Sequence, residues 1–324
     1  MRLTLATLVA GLFSSVAFSS PTSHPGASKV KTRQLIQVPN VWIENFAVRS
    51  NGELLLNTFN DGRLYSFNPS KSPPTARELL KLEGVNALTG ITEVGKDVFV
   101  IAGANIDQAT VSFEEGSQKV ALVDFRKSNY GSPSVRVILE DQDTTFLNGL
   151  TTLPRHKHII LGAASKTGEV WRIDTRTGAT KLAFKDELLG TVPSGPFPLG
   201  INGLKIFKNY LYFTNTARQS FGRVKIDEFG NKKGDVQVIA QAPAGSAISP
   251  DDFSLDKFGN AFVTFHPNLL FKITPDGKQT VLVNGTLAGP TSAAFSKDGR
   301  SLYVVTGGQG VEEITGGQVV KVSL

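Results

Sequence analysis

The sequence predicts an all-β protein, a six-bladed β-propeller, and three observations lead there. A similar strand-turn-strand unit restarts at intervals of roughly 40–60 residues, the period of propeller repeats. Within the units apolar and polar residues alternate, as in "AFVTF" and "LYFTN", the pattern of half-buried strands. Glycine is frequent, 32 of 324 residues, and clusters such as "SNGE", "KFGN" and "SKDG" supply tight-turn chemistry between the first two strands of a unit.

The elements follow in chain order. "MRLTLATLVAGLFSSVAFSS" has a basic Arg2, an apolar stretch and the small-residue site Ser15-Val16-Ala17. That pattern is expected of a secretory signal peptide over residues 1–20, cut within 17–20; its apolar run is short and serine-diluted for a membrane span. It implies a secretory or extracellular location and no membrane association after cleavage. Residues 21–32 read as a disordered lead-in, and 33–324 as the propeller. "RQLIQV" at 33–38 reads as a strand ahead of the first unit. Units then begin at Glu44, Asn86, Asn148, Asn202, Asp251 and Pro290. The sixth, ending in "GGQVVKVSL", holds only three strands, so the N-terminal strand is expected to complete the last blade and close the ring. Two separate β-domains are the alternative, but no linker divides the chain. Asn284 opens an Asn-Gly-Thr glycosylation sequon.

Composition narrows the function classes. The formal net charge is +6, yet lysines and arginines are scattered. A nucleic-acid partner would want a basic stripe interleaved with aromatics, and there is none. The chain has no cysteine, which excludes disulfides, thiolate metal sites and cysteine nucleophiles. No G-x-S-x-G occurs, so serine-hydrolase chemistry has no support.

A propeller turns repeat position into geometry. Residues just before each first strand gather at one mouth of the central channel: Glu44, Asn86, Asn148, Asn202, Asp251 and Pro290. The loop after each second strand lines the same mouth, adding Phe59, Asn60, Asn105, Asp107, Ser165, Asn215, Arg218 and His266. An oxygen-rich floor with a mixed aromatic and polar rim is expected. Oxygen ligands with two carboxylates suit a hard cation such as Ca²⁺. Asn and Asp before a strand also cap turns with their own side chains, and that reading stays open. Asp251 and Asp252 are adjacent, and two carboxylates repel unless a cation or donors stabilise them. His156 and His158 in "PRHKHII" fall at the opposite end.

The units resemble the senescence marker protein/gluconolactonase/luciferin-regenerating family. The likeness rests on "SPDDFSLDKFGNAFVT", on "GPTSAAFSKDGRSLYVVTGG", and on the Asn-Gly pairs at 148–149 and 202–203. It implies a metal held by Glu44, Asn202 and Asp251, with Asn148 on substrate or water and Asp251 as general base of a lactonase. Two departures change pocket shape and charge. The family's Glu-Gly-Pro is Glu44-Asn45-Phe46 here, and Asp252 stands in place of a glycine. The chain also resembles secreted fungal relatives in secondary metabolism that look like hetero-Diels–Alderases. Those join an o-quinone methide, derived from a tropolone or related aromatic polyketide, to a terpene alkene such as humulene.

Three functions compete. A hetero-Diels–Alderase for meroterpenoid biosynthesis needs no cofactor, two hydrophobic small molecules held face to face, and a donor on the heterodiene carbonyl. Asn148, Asn202, Asn215, Arg218 and His266, with Asp251, are its expected catalytic group. Phe46 and Phe59 form its apolar wall, with Asn60 and Asp252 also touching substrate. A Ca²⁺-dependent lactonase would use Glu44, Asn202 and Asp251 as ligands. A non-catalytic small-molecule-binding propeller is the third.

Overall fold

The computed structural model describes residues 30–108, 110–126, 132–141, 146–193, 195, 197–308 and 315–324. The signal-peptide reading, residues 1–20, lies outside them. Six four-stranded antiparallel sheets form the blades. Blade one comprises Ile43–Val48, Leu54–Thr58, Arg63–Phe67 and Ala76–Lys81. Blade two comprises Ala87–Gly95, Val98–Ala104, Gln118–Asp124 and Ser134–Asp141. Blade three comprises Leu147–Thr152, Ile159–Ala164, Glu169–Asp174 and Thr180–Lys185. Blade four comprises Ile201–Phe207, Tyr210–Asn215, Ser220–Ile226 and Lys232–Gln241. Blade five comprises Ser249–Leu255, Ala261–His266, Leu269–Ile273 and Gln279–Asn284. Blade six comprises Pro290–Phe295, Ser301–Thr306 and Gly317–Ser323, with Lys31–Val38 as its outer strand. Lys31 and Thr32, expected in the lead-in, already pair with Ser323 and Val322.

The core lies between blades, because each sheet buries both faces against its neighbours. One cluster joins blades three and four through Leu161, Leu204 and Phe213. Another joins four and five through Phe221, Phe253 and Phe265. A third joins six and one through Val305, Val319 and Phe46. The alternating apolar residues of the sequence are the side chains that fill these seams.

Every inner strand carries one extra residue near its start. Pairing with the second strand slips between Ile43 and Asn45, Leu88 and Ile91, Leu147 and Leu150, Ile201 and Leu204, Pro250 and Phe253, and Pro290 and Ser292. Such a bulge re-aims a side chain and breaks the two-residue alternation. The residues it places in register are Glu44, Thr89, Asn148, Asn202, Asp251 and Thr291. Asn86 and Pro290, expected at the mouth, are therefore displaced by Thr89 and Thr291. The reason is the bulge, which a strict period of two cannot register.

The same bulges lock the ring. A side chain from each blade donates to a carbonyl at the next blade's bulge. Asn57 Nδ2 donates to Thr89 O at 2.8 Å, Thr89 Oγ1 to Leu147 O at 2.7 Å, and Ser165 Oγ to Ile201 O at 2.6 Å. Thr216 Oγ1 donates to Pro250 O at 2.9 Å, Thr264 Oγ1 to Thr291 O at 3.0 Å, and Thr291 Oγ1 to Ile43 O at 2.7 Å. Each is worth about 0.5–1.5 kcal/mol net, and all six junctions have one. Gly149 follows Asn148 because a Cβ there would run into Asn202 O and Leu204 N of the next blade.

Candidate functional site

One cavity of about 280 Å³ opens at the bulge end of the channel. Its floor comes from the inner strands: Glu44, Asn148, Asn202 and Asp251, joined by Thr216 and His266 from second strands or the loops after them. Its walls are Trp42, Phe59, Val111, Phe197 and Leu199, with Gln108 at the edge. Trp42 and Phe59 lie against each other with ring centroids 5.4 Å apart. The body of the cavity is thus apolar and its floor polar, the usual composition of a small-molecule site.

Several floor side chains hydrogen-bond one another. His266 Nε2 lies 3.0 Å from Asp251 Oδ2. Asn202 Nδ2 donates to Asp251 Oδ1 at 2.9 Å and to Thr216 Oγ1 at 3.0 Å. Trp42 Nε1 donates to Glu44 Oε2 at 2.9 Å. Burial pushes the Glu44 carboxyl well above its usual range, and the nearby Asp251 carboxyl adds to the effect. Burial also raises Asp251, against the opposing pull of His266. Asn148 is different: it is 3% exposed, lines the cavity, and its amide has no hydrogen-bond partner among the described residues.

The implied metal can be tested on these contacts. Thr216 donates its own proton to Pro250 O, so its oxygen accepts from Asn202 and fixes which end of that amide is nitrogen. Asn202 therefore turns an N–H toward Asp251, and an N–H cannot ligate a cation. His266 covers the other oxygen of Asp251. As arranged, Glu44, Asn202 and Asp251 do not fit a shared cation. Among the described residues no group of three or more His, Asp or Glu is placed to hold a metal.

Several expected site residues lie elsewhere. Phe46 is buried in the seam between blades six and one. Asn60 accepts from Trp42 N and donates to Asn40 O, so it pins a turn. Asn215 Nδ2 donates to Leu188 O and Gly190 O, and Arg218 bonds Gly190 O and Glu187 O. Both hold the loop around a short 3-10 turn at Glu187–Leu189 instead of lining the cavity. Asn86 pins Ile106 through both its amide groups, Asn105 holds Glu114, and Asp107 is exposed. Ser165 is spent on the inter-blade bond to Ile201. Asn284 ends an outer strand and is exposed. His156 stacks on Phe229, with ring centroids 4.6 Å apart.

Asp252 sits below the floor. Lys205 Nζ approaches its two oxygens at 2.7 and 2.8 Å, and Asn45 Nδ2 and Ser292 Oγ lie 3.0 and 3.1 Å from Oδ2. It is 2% exposed and does not line the cavity. A carboxylate where other blades have Gly149 or Gly203 fills the channel and draws in a lysine to balance it.

Trp42, Gln108, Val111, Phe197, Leu199 and Thr216 were not singled out by the sequence. Trp42 left a signal, since it lies two residues before Glu44 and so faces the same way on an extended segment. The others come from loops, where the repeat gives no register.

No model of a known protein family matches the chain. A protein of Phoma sp, named as a candidate hetero-Diels-Alderase, is 31% identical over 318 residues, covering 88% of this chain and 89% of that relative. A second candidate hetero-Diels-Alderase, from Sarocladium schorii, is 25% identical over 370 residues, covering 94% and 90%. Among solved structures, a luciferin-regenerating enzyme superposes with a TM-score of 0.66 at 14% identity, covering 91% of this chain and 95% of its own. Regucalcin from Agrobacterium tumefaciens, described as calcium-binding, gives 0.64 at 15% identity, covering 91% and 94%. These structural likenesses establish the six-bladed propeller fold. With an apolar cavity on an asparagine-rich floor, and a relative matched along most of both sequences, the chain belongs to the hetero-Diels-Alderase family.

Proposed function

We propose that the protein catalyses an intermolecular hetero-Diels–Alder reaction, joining an o-quinone methide of tropolone or related aromatic origin to a terpene alkene such as humulene. The reaction class follows the family. The observation that carries the mechanism is the unpartnered Asn148 amide in the floor of an apolar cavity. An amide with no partner in the protein, lining an otherwise apolar cavity, is available to a hydrogen-bonding group on an apolar ligand. A quinone methide offers one carbonyl oxygen on an apolar ring.

The carbon–carbon and carbon–oxygen bonds form together or in close succession, and no group leaves. Electron density moves toward the quinone methide oxygen as the carbon–carbon bond forms. The Asn148 N–H donates to that oxygen and binds it more tightly as its charge grows. Burial raises the Glu44 carboxyl and so favours its protonated form, which offers a second donor to the same region. Trp42, Phe59, Phe197 and Leu199 hold the alkene against the ring, replacing an encounter in solution with a held geometry. Asp251, Asn202 and His266 keep the floor rigid. No step runs through a metal.

The test is cycloaddition by the purified protein, measured as rate and enantiomeric excess, beside lactone hydrolysis, each with and without a chelator. Enantioselective cycloaddition insensitive to the chelator supports the proposal. Racemic product at the uncatalysed rate, with chelator-sensitive lactone hydrolysis, would sink it in favour of the gluconolactonase-type alternative. Binding with neither reaction would leave a non-catalytic propeller. We also propose that residues 1–20 direct the chain to the secretory pathway for meroterpenoid biosynthesis; N-terminal sequencing of the secreted protein checks that.

A further inference from the structure

Val111 carries an unexplained conformation. Its φ is +51°, and among the described cavity-lining residues no other is in that left-handed region. A branched Cβ there crowds the neighbouring carbonyl, so valine is among the residues least suited to it. Such a conformation persists only where the surroundings over-determine it, and it is characteristic of ligand clamps.

The surroundings here are a short hairpin, Ile106–Asp107 paired with Ser112–Phe113, inserted between the second and third strands of blade two. Its base is fixed from several sides. Asn86 bonds both the N–H and the carbonyl of Ile106, at 2.8 and 2.9 Å. Asn105 Nδ2 donates to Glu114 Oε2 at 2.9 Å. Phe113 stacks on Phe146, with ring centroids 5.2 Å apart. Near the tip, Gln108 Nε2 donates to Phe59 O at 2.9 Å, tying the hairpin to a wall residue. Held this way, the hairpin brings Val111 to the cavity, which it lines. Glycine would satisfy the backbone without strain, so the valine points to a role for its side chain in that cavity.

We propose that Val111 is the specificity-determining residue for the apolar partner, its side chain setting how large an alkene the cavity accepts. This rests on the reading of the cavity as the cycloaddition site. A site that differs by one or two methyl groups in a hydrophobic pocket discriminates by about 10–200-fold.

The experiment compares the wild type with Val111→Gly and Val111→Leu. Binding of cyclic terpene hydrocarbons of increasing size is read by Trp42 fluorescence in a Trp171→Phe background, and product ratios are read from pairs of competing alkenes. Val111→Gly is expected to fold with an equal or higher Tm and to shift both preferences toward the larger hydrocarbon by at least about tenfold. Val111→Leu is expected to shift both toward the smaller. Unchanged size preference in the folded variants would overturn the proposal, as would a Val111→Gly protein less stable than wild type. If the wild type binds hydrocarbons with the expected size shifts but yields no cycloaddition, the reaction assignment falls and the size filter stands.

Discussion

Replacing Asn148 with leucine separates a catalytic amide from a structural one, because loss of a structural amide costs stability and loss of a catalytic one costs rate. The Asn148 side chain is buried, lines the cavity and makes no hydrogen bond among the described residues. Leucine is close to asparagine in shape, and the amide it replaces makes no hydrogen bond within the described protein, so the variant should keep the wild-type stability to within about 1 kcal/mol. For a chain of this size that corresponds to a Tm change of no more than about 2 °C. The rate should fall. Loss of one donor aimed at developing oxyanion charge lowers kcat by about 10²–10³-fold, or about 2.7–4 kcal/mol. Calorimetry gives the first quantity and single-turnover cycloaddition the second. A variant that loses stability, or that keeps the wild-type rate, would refute the assignment of Asn148.

Other perturbations read other parts of the floor. Chelation should leave both Tm and cycloaddition rate unchanged, since His266 and Asn202 already occupy the two oxygens of Asp251; a Tm that falls on chelation and returns with Ca²⁺ would contradict this. Glu44→Gln should become more stable relative to wild type as pH rises. Burial raises the folded carboxyl, so wild-type stability from its proton is complete below the unfolded value of about 4.3 and is lost as pH climbs through the raised folded value. Tm measured against pH should show the gap opening over that window and then levelling; a gap that opens toward acid would be the wrong sign. Lys205→Met strands Asp252, which is 2% exposed. Breaking a buried pair costs about 3–5 kcal/mol, and the one-third exposure of Lys205 puts this case near the lower end. Urea unfolding should also show much of the loss recovered in Lys205→Met/Asp252→Asn.

The repeat made the fold and most of the floor legible: of the six floor residues only Thr216 was missed. Glu44, Asn148, Asn202 and Asp251 lie at equivalent positions of blades one, three, four and five, and the repeat brings them to one mouth. Blades two and six misled for a local reason. Asn86 and Pro290 resemble the other unit starts, but the bulge register selects Thr89 and Thr291, which carry no distinctive chemistry. Asn60, Asn215 and Arg218 were drawn toward the site by their place after a second strand, whereas each satisfies backbone groups of its own or a neighbouring loop. Loop residues such as Phe197 and Val111 were out of reach, because long connections obey no period. Asp252 was visible as a departure, but its partner Lys205 lies one blade away, and only the closed ring brings the two together.

The two adjacent aspartates show how this floor differs from a cation site. A cation shared by Glu44 and Asp251 would neutralise both and would need the amide oxygen of Asn202 turned toward it. Here each charge has its own answer. Asp251 has His266 on one oxygen and the Asn202 N–H on the other. Asp252 has Lys205, Asn45 and Ser292. Glu44 is pushed toward its neutral form. With Asp251 and Asp252 answered internally, the Asn148 amide is left available to a ligand in the cavity. Under the proposed reaction that ligand brings a carbonyl oxygen on an apolar frame and rests against the apolar walls. A floor whose Asp251 and Asp252 carboxylates are held internally, with the Asn148 amide and the Glu44 carboxyl at the cavity, suits a reaction that moves electron density onto an oxygen and expels nothing. It suits poorly a hydrolysis, which must activate water and stabilise a leaving group.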